Sequence, residues 1–231
     1  MKNELIEKCK EYIIEGNKFV IAEPYIPYIP ENWNGILILA ESQNLSKTND
    51  NYVTILRSLT PEQRIERLYY EESYIGVYPW DDGSLKLAVE SALNIKVNDT
   101  AVSNAVLWSQ RNETGANKNP SDEIIKLSSL LWKDFLEIIN PTMIVSAGNI
   151  ARDIILKTNW KGKQINLRLP SKMALSRVSG MFDKADLLKR YPEVKLVINK
   201  NKNWVKSYEL NKIFYACHAI SIIYKLKKPN L

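Results

Sequence analysis

Three polar side chains stand where apolar runs end or break. Glu41 follows the run GILILA (35–40) and opens the polar stretch Glu41-Ser42-Gln43-Asn44. Asn104 lies inside VSNAVLW (102–108). His218, the single histidine of the 231 residues, lies inside IFYACHAI (213–220). The three types are chemically complementary. A carboxylate can orient a water or stabilise a developing cation, an amide offers donor and acceptor together, and an imidazole exchanges a proton near neutral pH. Each also has a plain alternative. A Glu after a strand caps a helix, an Asn within a strand ties a backbone group, and a lone His is a satisfied core residue.

The elements that must position these residues can be read from periodicity. The runs 35–40, 102–108, TMIVSAG (142–148) and 213–220 are continuous, apolar and of strand length, the pattern of strands buried on both faces of a parallel sheet. INLRLP (165–170) offers a further short strand. Helical signals separate the runs. Leu5, Ile6, Cys9, Tyr12 and Ile13 share one face over 3–15, Thr60-Pro61-Glu62 starts a helix over 60–72, and Ser84 precedes another that runs to 93. Pro120-Ser121-Asp122-Glu123 opens a long helix that Asn140-Pro141 stops, and further helices start at Asn149 and at Asp183. The alternation predicts an α/β fold, a three-layer α/β/α sandwich around a central, mainly parallel sheet of about four strands. It reads as a single domain over 1–231, with an N-terminal helix and extended arm (1–34) and an insert at 160–212. Three prolines in 24–30 exclude helix there and predict an extended, surface-hugging arm. Ligands of open parallel sheets bind beyond the carboxyl ends of the strands. Glu41, Asn104 and His218 are therefore expected to converge on one edge.

Charge is unevenly distributed. Residues 1–150 hold 14 Lys and Arg against 21 Asp and Glu, a net −7; residues 151–231 hold 18 against 5, a net +13. A basic final third, closing on Lys225, Lys227 and Lys228, has the footprint of a polyanion site; the plain alternative is a solvated surface. No apolar run reaches the roughly 18 residues of a membrane span. The N-terminus lacks a signal-peptide core, so the expected location is cytoplasmic, away from membranes. Two cysteines, Cys9 and Cys217, are too few for a cysteine-rich zinc or iron–sulfur site or a disulfide framework, and no metal or other cofactor is expected.

The residues at the strand ends resemble motifs of the uracil-DNA glycosylase superfamily. Ile36-Leu37-Ile38-Leu39-Ala40-Glu41-Ser42-Gln43-Asn44 resembles its first motif, which in some branches ends Gly-Glu-Ala-Pro-Gly. Ser103-Asn104-Ala105-Val106-Leu107 is similar to the strand whose Asn reads the base. Asn140-Pro141 through Gly148, followed by Ala151, resembles the segment of helix, Pro, apolar strand, Gly and Ala. Cys217-His218-Ala219-Ile220-Ser221 resembles the closing His-Pro-Ser motif. A rival for that motif is Leu169-Pro170-Ser171 through Leu175-Ser176-Arg177, which has no His. The chain departs from the pattern at Ala40, Gln43 and Asn44, where Gly, Pro and Gly are usual, and at Ala219, where Pro is usual.

The resemblance implies cleavage of the bond between a uracil, or another damaged or mispaired base, and deoxyribose in DNA. That reaction passes through an oxocarbenium-like sugar while negative charge grows on the departing base. Glu41 would orient water and stabilise the sugar cation, and His218, as neutral imidazole, would donate to the base oxygen. Asn104 would read the Watson–Crick edge, with Gln43 beside it, and Tyr78 or Trp80 in GVYPWDDG (76–83) would hold the flipped base. Asn44, Ser221 and Lys225 would grip the DNA backbone, and Ile222 or Ile223 would wedge into the vacated stack. The implied partner is DNA, single- or double-stranded, bound by a monomer. Two alternatives stay open: a catalytically inactive nucleic-acid-binding protein on the same scaffold, and an enzyme acting on a small nucleoside or nucleotide.

Overall fold

The computed structural model describes residues 1–14, 19–43, 45–75, 83–116, 118–170, 172–202 and 209–227. The fold is α/β, a three-layer α/β/α sandwich about a four-stranded sheet. The chain sorts into two compact units. Met1–Gly76 with Thr100–Asn166 forms the first, and Val77–Asp99 with Leu167–Leu231 the second.

The first unit holds the sheet: β1 (Ile36–Ser42), β2 (Ala101–Val106), β3 (Met143–Ala147) and β4 (Lys163–Leu167), in the order β2-β1-β3-β4. β1 runs parallel to both neighbours. Register pairs Leu37 with Ala101 and Ile144, Leu39 with Ser103 and Ser146, and Ala40 with Asn104. Alternation along the strands then sorts the side chains. Leu37, Leu39, Ala101, Ala105 and Ile144 belong to one core cluster, together with residues of α5 (Asp122–Ile139) and α6 (Asn149–Lys157). Trp132 fixes α5 to this face by donating its indole N–H to the Ala105 carbonyl at 2.9 Å. Ser128 Oγ accepts from the Leu107 amide at 3.1 Å.

The expected helix starts at Thr60 and Ser121 hold, whereas Ser84 does not precede its helix but is its first residue, behind Gly83. Ser121 caps α5 by accepting from the Ile124 amide, and Asn140, at φ 49°, ends it before Pro141. Thr60 and Gln63 exchange backbone and side-chain bonds at the start of α3 (Pro61–Ile75), a reciprocal capping box. α1 (Lys2–Glu11) packs on α5 and α3, and α2 (Asp50–Arg57) packs on α3.

The proline-rich arm is extended, as its composition requires, and it lies deep in the structure. Tyr28 pairs antiparallel with Val102, and the amides of Tyr25 and Val20 donate to Leu107 (2.7 Å) and Ser109 (2.9 Å). Phe19, Val20, Ile21, Tyr25 and Ile26 are buried. The arm thus covers the free edge of β2, where prolines without an N–H are tolerated and an open edge would invite other chains. Its anchor is Glu23, which meets Arg64 of α3 in a two-pronged ion pair.

The second unit is helical: α4 (Ser84–Leu93), α7 (Lys172–Ser179), α8 (Lys184–Arg190), α9 (Pro192–Lys200) and α10 (Glu209–Lys227). α10 packs against the other four. This corrects the expectation of a strand at 213–220, which lies inside α10. The cause is burial almost all around the helix. Ile213, Tyr215, Ala216, Cys217, Ala219, Ile220 and Ile223 are all buried, and a segment apolar on every face carries no period that separates strand from helix. The sheet's fourth strand is instead Lys163–Leu167, two residues ahead of the expected 165–170. The expected insert at 160–212 overlaps β4, α7, α8 and α9.

Candidate functional site at the carboxyl ends of the strands

From β1 the chain passes to β2 on one side and then returns across the sheet to β3 on the other. The carboxyl ends of β1 and β3 therefore flank the topological switch point, where open α/β sheets bind ligands. Glu41 stands there, half-buried near the end of β1. Opposite it, β3 turns into α6 through Gly148, whose φ of 108° and ψ of 162° fall in a region that only glycine occupies readily. Burial raises the pKa of the Glu41 carboxylate above the usual carboxylate range, and the backbone N–H of Ile150, in the first turn of α6, offsets the rise in part. A carboxylate at a helix N-terminus is also what helix electrostatics alone would favour.

Asn104 is 1% exposed and pairs in register with Ala40. Its side chain shares a face with those of Ala40 and Ser42, and Glu41 projects from the other face. The β1 residue nearest the strand end on the face of Asn104 is thus Ser42. Sequence order brought Glu41 and Asn104 to adjacent strands; register separates them by the thickness of the sheet.

Gln43 follows β1 and lies in a small cleft with Ser42, Trp108, Ser109, Gln110 and Lys118. The cleft has room for about one water molecule, far short of a nucleobase. Gln110 Oε1 is buried there without a hydrogen-bond partner among the described residues. The loop after β1 is tied down by the segment after β2. Ser109 Oγ donates to the Gln43 carbonyl at 2.8 Å, Arg111 donates to the carbonyls of Leu45 (2.6 Å) and Ser46 (3.1 Å), and Arg111 also pairs with Asp50 at 2.7 Å. The Lys47 amide donates to Gly115 at 2.7 Å. Sequence reading placed Ser109 after the second strand but missed Arg111 and the ties to Leu45, Ser46, Lys47 and Asp50. Their one signal was the polar stretch that directly follows a predicted strand.

His218 is on α10 in the second unit, on no strand, so its predicted place at a strand end is corrected. It is half-buried and stacks on Phe214, one turn earlier, with centroids 6.4 Å apart and planes at 8°. Ser221 donates back to the His218 carbonyl at 2.8 Å. Ile222 is half-buried one turn on, so Phe214, His218, Ser221 and Ile222 form one stripe of the helix. Lys225 belongs to the same helix; its side chain, like Asn44, Tyr78 and Trp80, lies outside the described residues.

The segment that does follow a sheet strand is Arg168 after β4, leading into the rival motif from Leu169 to Arg177, which carries no imidazole. The Arg168 side chain is exposed, and its carbonyl accepts from the Tyr215 hydroxyl at 2.5 Å. Among the described residues no three His, Cys, Asp or Glu side chains cluster to hold a metal, and no helix is long and apolar enough to cross a membrane. Both thiols are buried, which pushes Cys9 far up and Cys217 up to about 12, out of the reactive range.

No protein-family model matches the chain, and no curated protein matches it in sequence.

Proposed function

We propose that the protein binds DNA through its second unit, on a glycosylase-like scaffold, and does not itself release a base. Segregated charge carries this reading. The second unit holds 16 Lys and Arg against 8 Asp and Glu, and the first holds 16 against 18. Arg177, Lys184, Lys189, Arg190, Lys195 and Lys200 are exposed on α7, α8 and α9. Such a surface gains affinity for a polyanion by releasing its counterions. The β1–β2 register supports the absence of turnover. Base excision needs the water-orienting carboxylate and the base-reading amide to line one pocket, at the two ends of the same glycosidic bond. Here Glu41 lies on the face of the sheet that packs α5 and α6, and Asn104 faces the other way. A cytoplasmic monomer completes this reading.

A second reading, an active uracil-DNA glycosylase with Glu41 as its carboxylate, draws on one observation, the place of Glu41 at the switch point. Two measurements on the full chain separate the readings. Anisotropy titrations of single- and double-stranded oligonucleotides across salt should give affinity that falls steeply with ionic strength. Reversing charge at Lys189, Arg190 and Lys195 should flatten the slope by about 2–3 and weaken binding roughly 10²–10³-fold at 0.1 M salt, if each contacts one phosphate. Single-turnover assays with uracil, hypoxanthine or mismatched bases should release none. Release that Glu41→Gln abolishes would establish the glycosylase. Affinity indifferent to salt and to the three reversals would refute DNA binding by this unit.

A further inference from the structure

The outer face of α5 and the end of α6 enclose an open groove of about 440 Å³ within the first unit. Lys126, Leu130 and Lys133 line it from α5, and Lys157 lines it from the last turn of α6. The α5 residues follow one another at helical spacing, so a leucine sits between two ammonium groups along a single stripe. Leu130 is 48% exposed, and Leu156, beside Lys157, is 59% exposed. None of the three lysines is in an ion pair among the described residues. Among the described residues Asp122, in the first turn of α5, is the one acidic side chain on the groove's rim.

The setting makes this arrangement selective. The first unit has a net charge of −2, with 16 Lys and Arg against 18 Asp and Glu, so most of its surface does not attract an acidic partner. Three unpaired cations gathered around an exposed apolar floor would both steer such a partner and anchor it. A nucleic-acid backbone would satisfy the lysines and leave Leu130 uncovered. An amphipathic helix with an apolar residue between two carboxylates satisfies both, and the spacing from Lys126 to Lys133 matches two turns of such a helix. We infer that this groove docks an acidic amphipathic helical segment of a partner protein, an interaction separate from DNA binding by the second unit.

The probe is a synthetic peptide of about 14 residues, helix-forming, with a Leu flanked by Glu one turn away on each side. Its control replaces every Glu by Gln. Amide chemical-shift mapping on the full chain should place the perturbations at 122–133 and 156–158, with an affinity in the range of about 0.1–1 mM for so small a contact. Leu130→Ser and the pair Lys126→Glu, Lys133→Glu should each weaken binding roughly tenfold. These positions are exposed, so an unchanged spectrum elsewhere confirms that the variants fold. Equal binding of the uncharged control, perturbations outside the groove, or displacement of the peptide by duplex DNA would each overturn the assignment.

Discussion

Removing Glu23 should cost the protein a large share of its stability, and the structure says why. The Glu23 side chain is 1% exposed and that of Arg64 16%. Arg64 grips the carboxylate through two bonds, Nε at 2.7 Å and Nη2 at 2.9 Å, and also donates to the Leu59 carbonyl. Glu23→Ala leaves a guanidinium in a nearly dry site with half its partners gone. Breaking a buried pair from one side costs about 3–5 kcal/mol, because the remaining charge is uncompensated. A domain of ordinary stability has about 5–15 kcal/mol in all, so the variant should approach its unfolding threshold at ambient temperature. Glu23→Gln should fall between, since the amide oxygen still accepts one bond. The double variant Glu23→Leu, Arg64→Met removes both charges and should recover most of the loss, which makes the coupling measurable as a double-mutant cycle. Urea unfolding supplies the free energies. Hydrogen exchange at the amides of 101–107 reports whether the arm still covers β2. If Glu23→Ala unfolds within about 1 kcal/mol of the parent at unchanged m-value, the pair is not buried as described and the arm is held by its apolar side chains alone.

Three further outcomes follow from single sites. Burial gives Glu41 a higher pKa in the folded chain than in the unfolded one, so its ionisation opposes folding, an effect that grows as pH rises through the unfolded value and levels off above the folded one. Glu41→Gln should therefore melt higher than the parent at about pH 7.5 and match it at about pH 3, and a gain confined to acid pH would reverse the assignment. Arg111→Ala removes the ties to Leu45, Ser46 and Asp50, and should cost about 1–3 kcal/mol in urea unfolding while opening the loop after β1 to limited proteolysis. Gly148→Ala forces a side chain onto a backbone conformation near glycine-only space, at a cost of about 1–3 kcal/mol, and a variant as stable as the parent would mean the β3–α6 turn can relax.

Much of the sheet was legible because its strands are short Val, Ile and Leu runs bounded by polar or proline breaks. β3 falls within its predicted run, β1 continues two residues past its run to Ser42, and β2 begins one residue before its run, at Ala101. The stretch 213–220 was misread because a strand window was laid on part of a longer helix. Glu209–Lys227 spans 19 residues without Gly or Pro, and its alanines, Ala216 and Ala219, favour helix; length was the cue that could have settled it. The arm was legible as extended but not as buried. Its anchor joins Glu23 to a residue 41 positions away, and no local pattern records that distance. Which residues reach the strand ends could be read from run boundaries. Which face each one occupies could not, because that depends on how neighbouring strands align.

That alignment decides what the scaffold can do. A shift of one residue between β1 and β2 would move Glu41 to the side of Asn104 and rebuild the predicted pair, yet it would also turn Leu37 and Leu39 out of the cluster they share with α5 and α6. Both leucines are fully buried, each contributing about 1.5–3 kcal/mol by its burial, so the register is locked by the core and the polar side chains must follow. The carboxylate that arrives at the switch point then stays on the side of α6, and Asn104 is left beside Ala40, with Ser42 the next β1 residue on its face. A scaffold so arranged keeps its fold and its basic second unit while the two side chains expected to share a glycosidic site, Glu41 and Asn104, stand apart. Binding without excision is the behaviour that this separation favours.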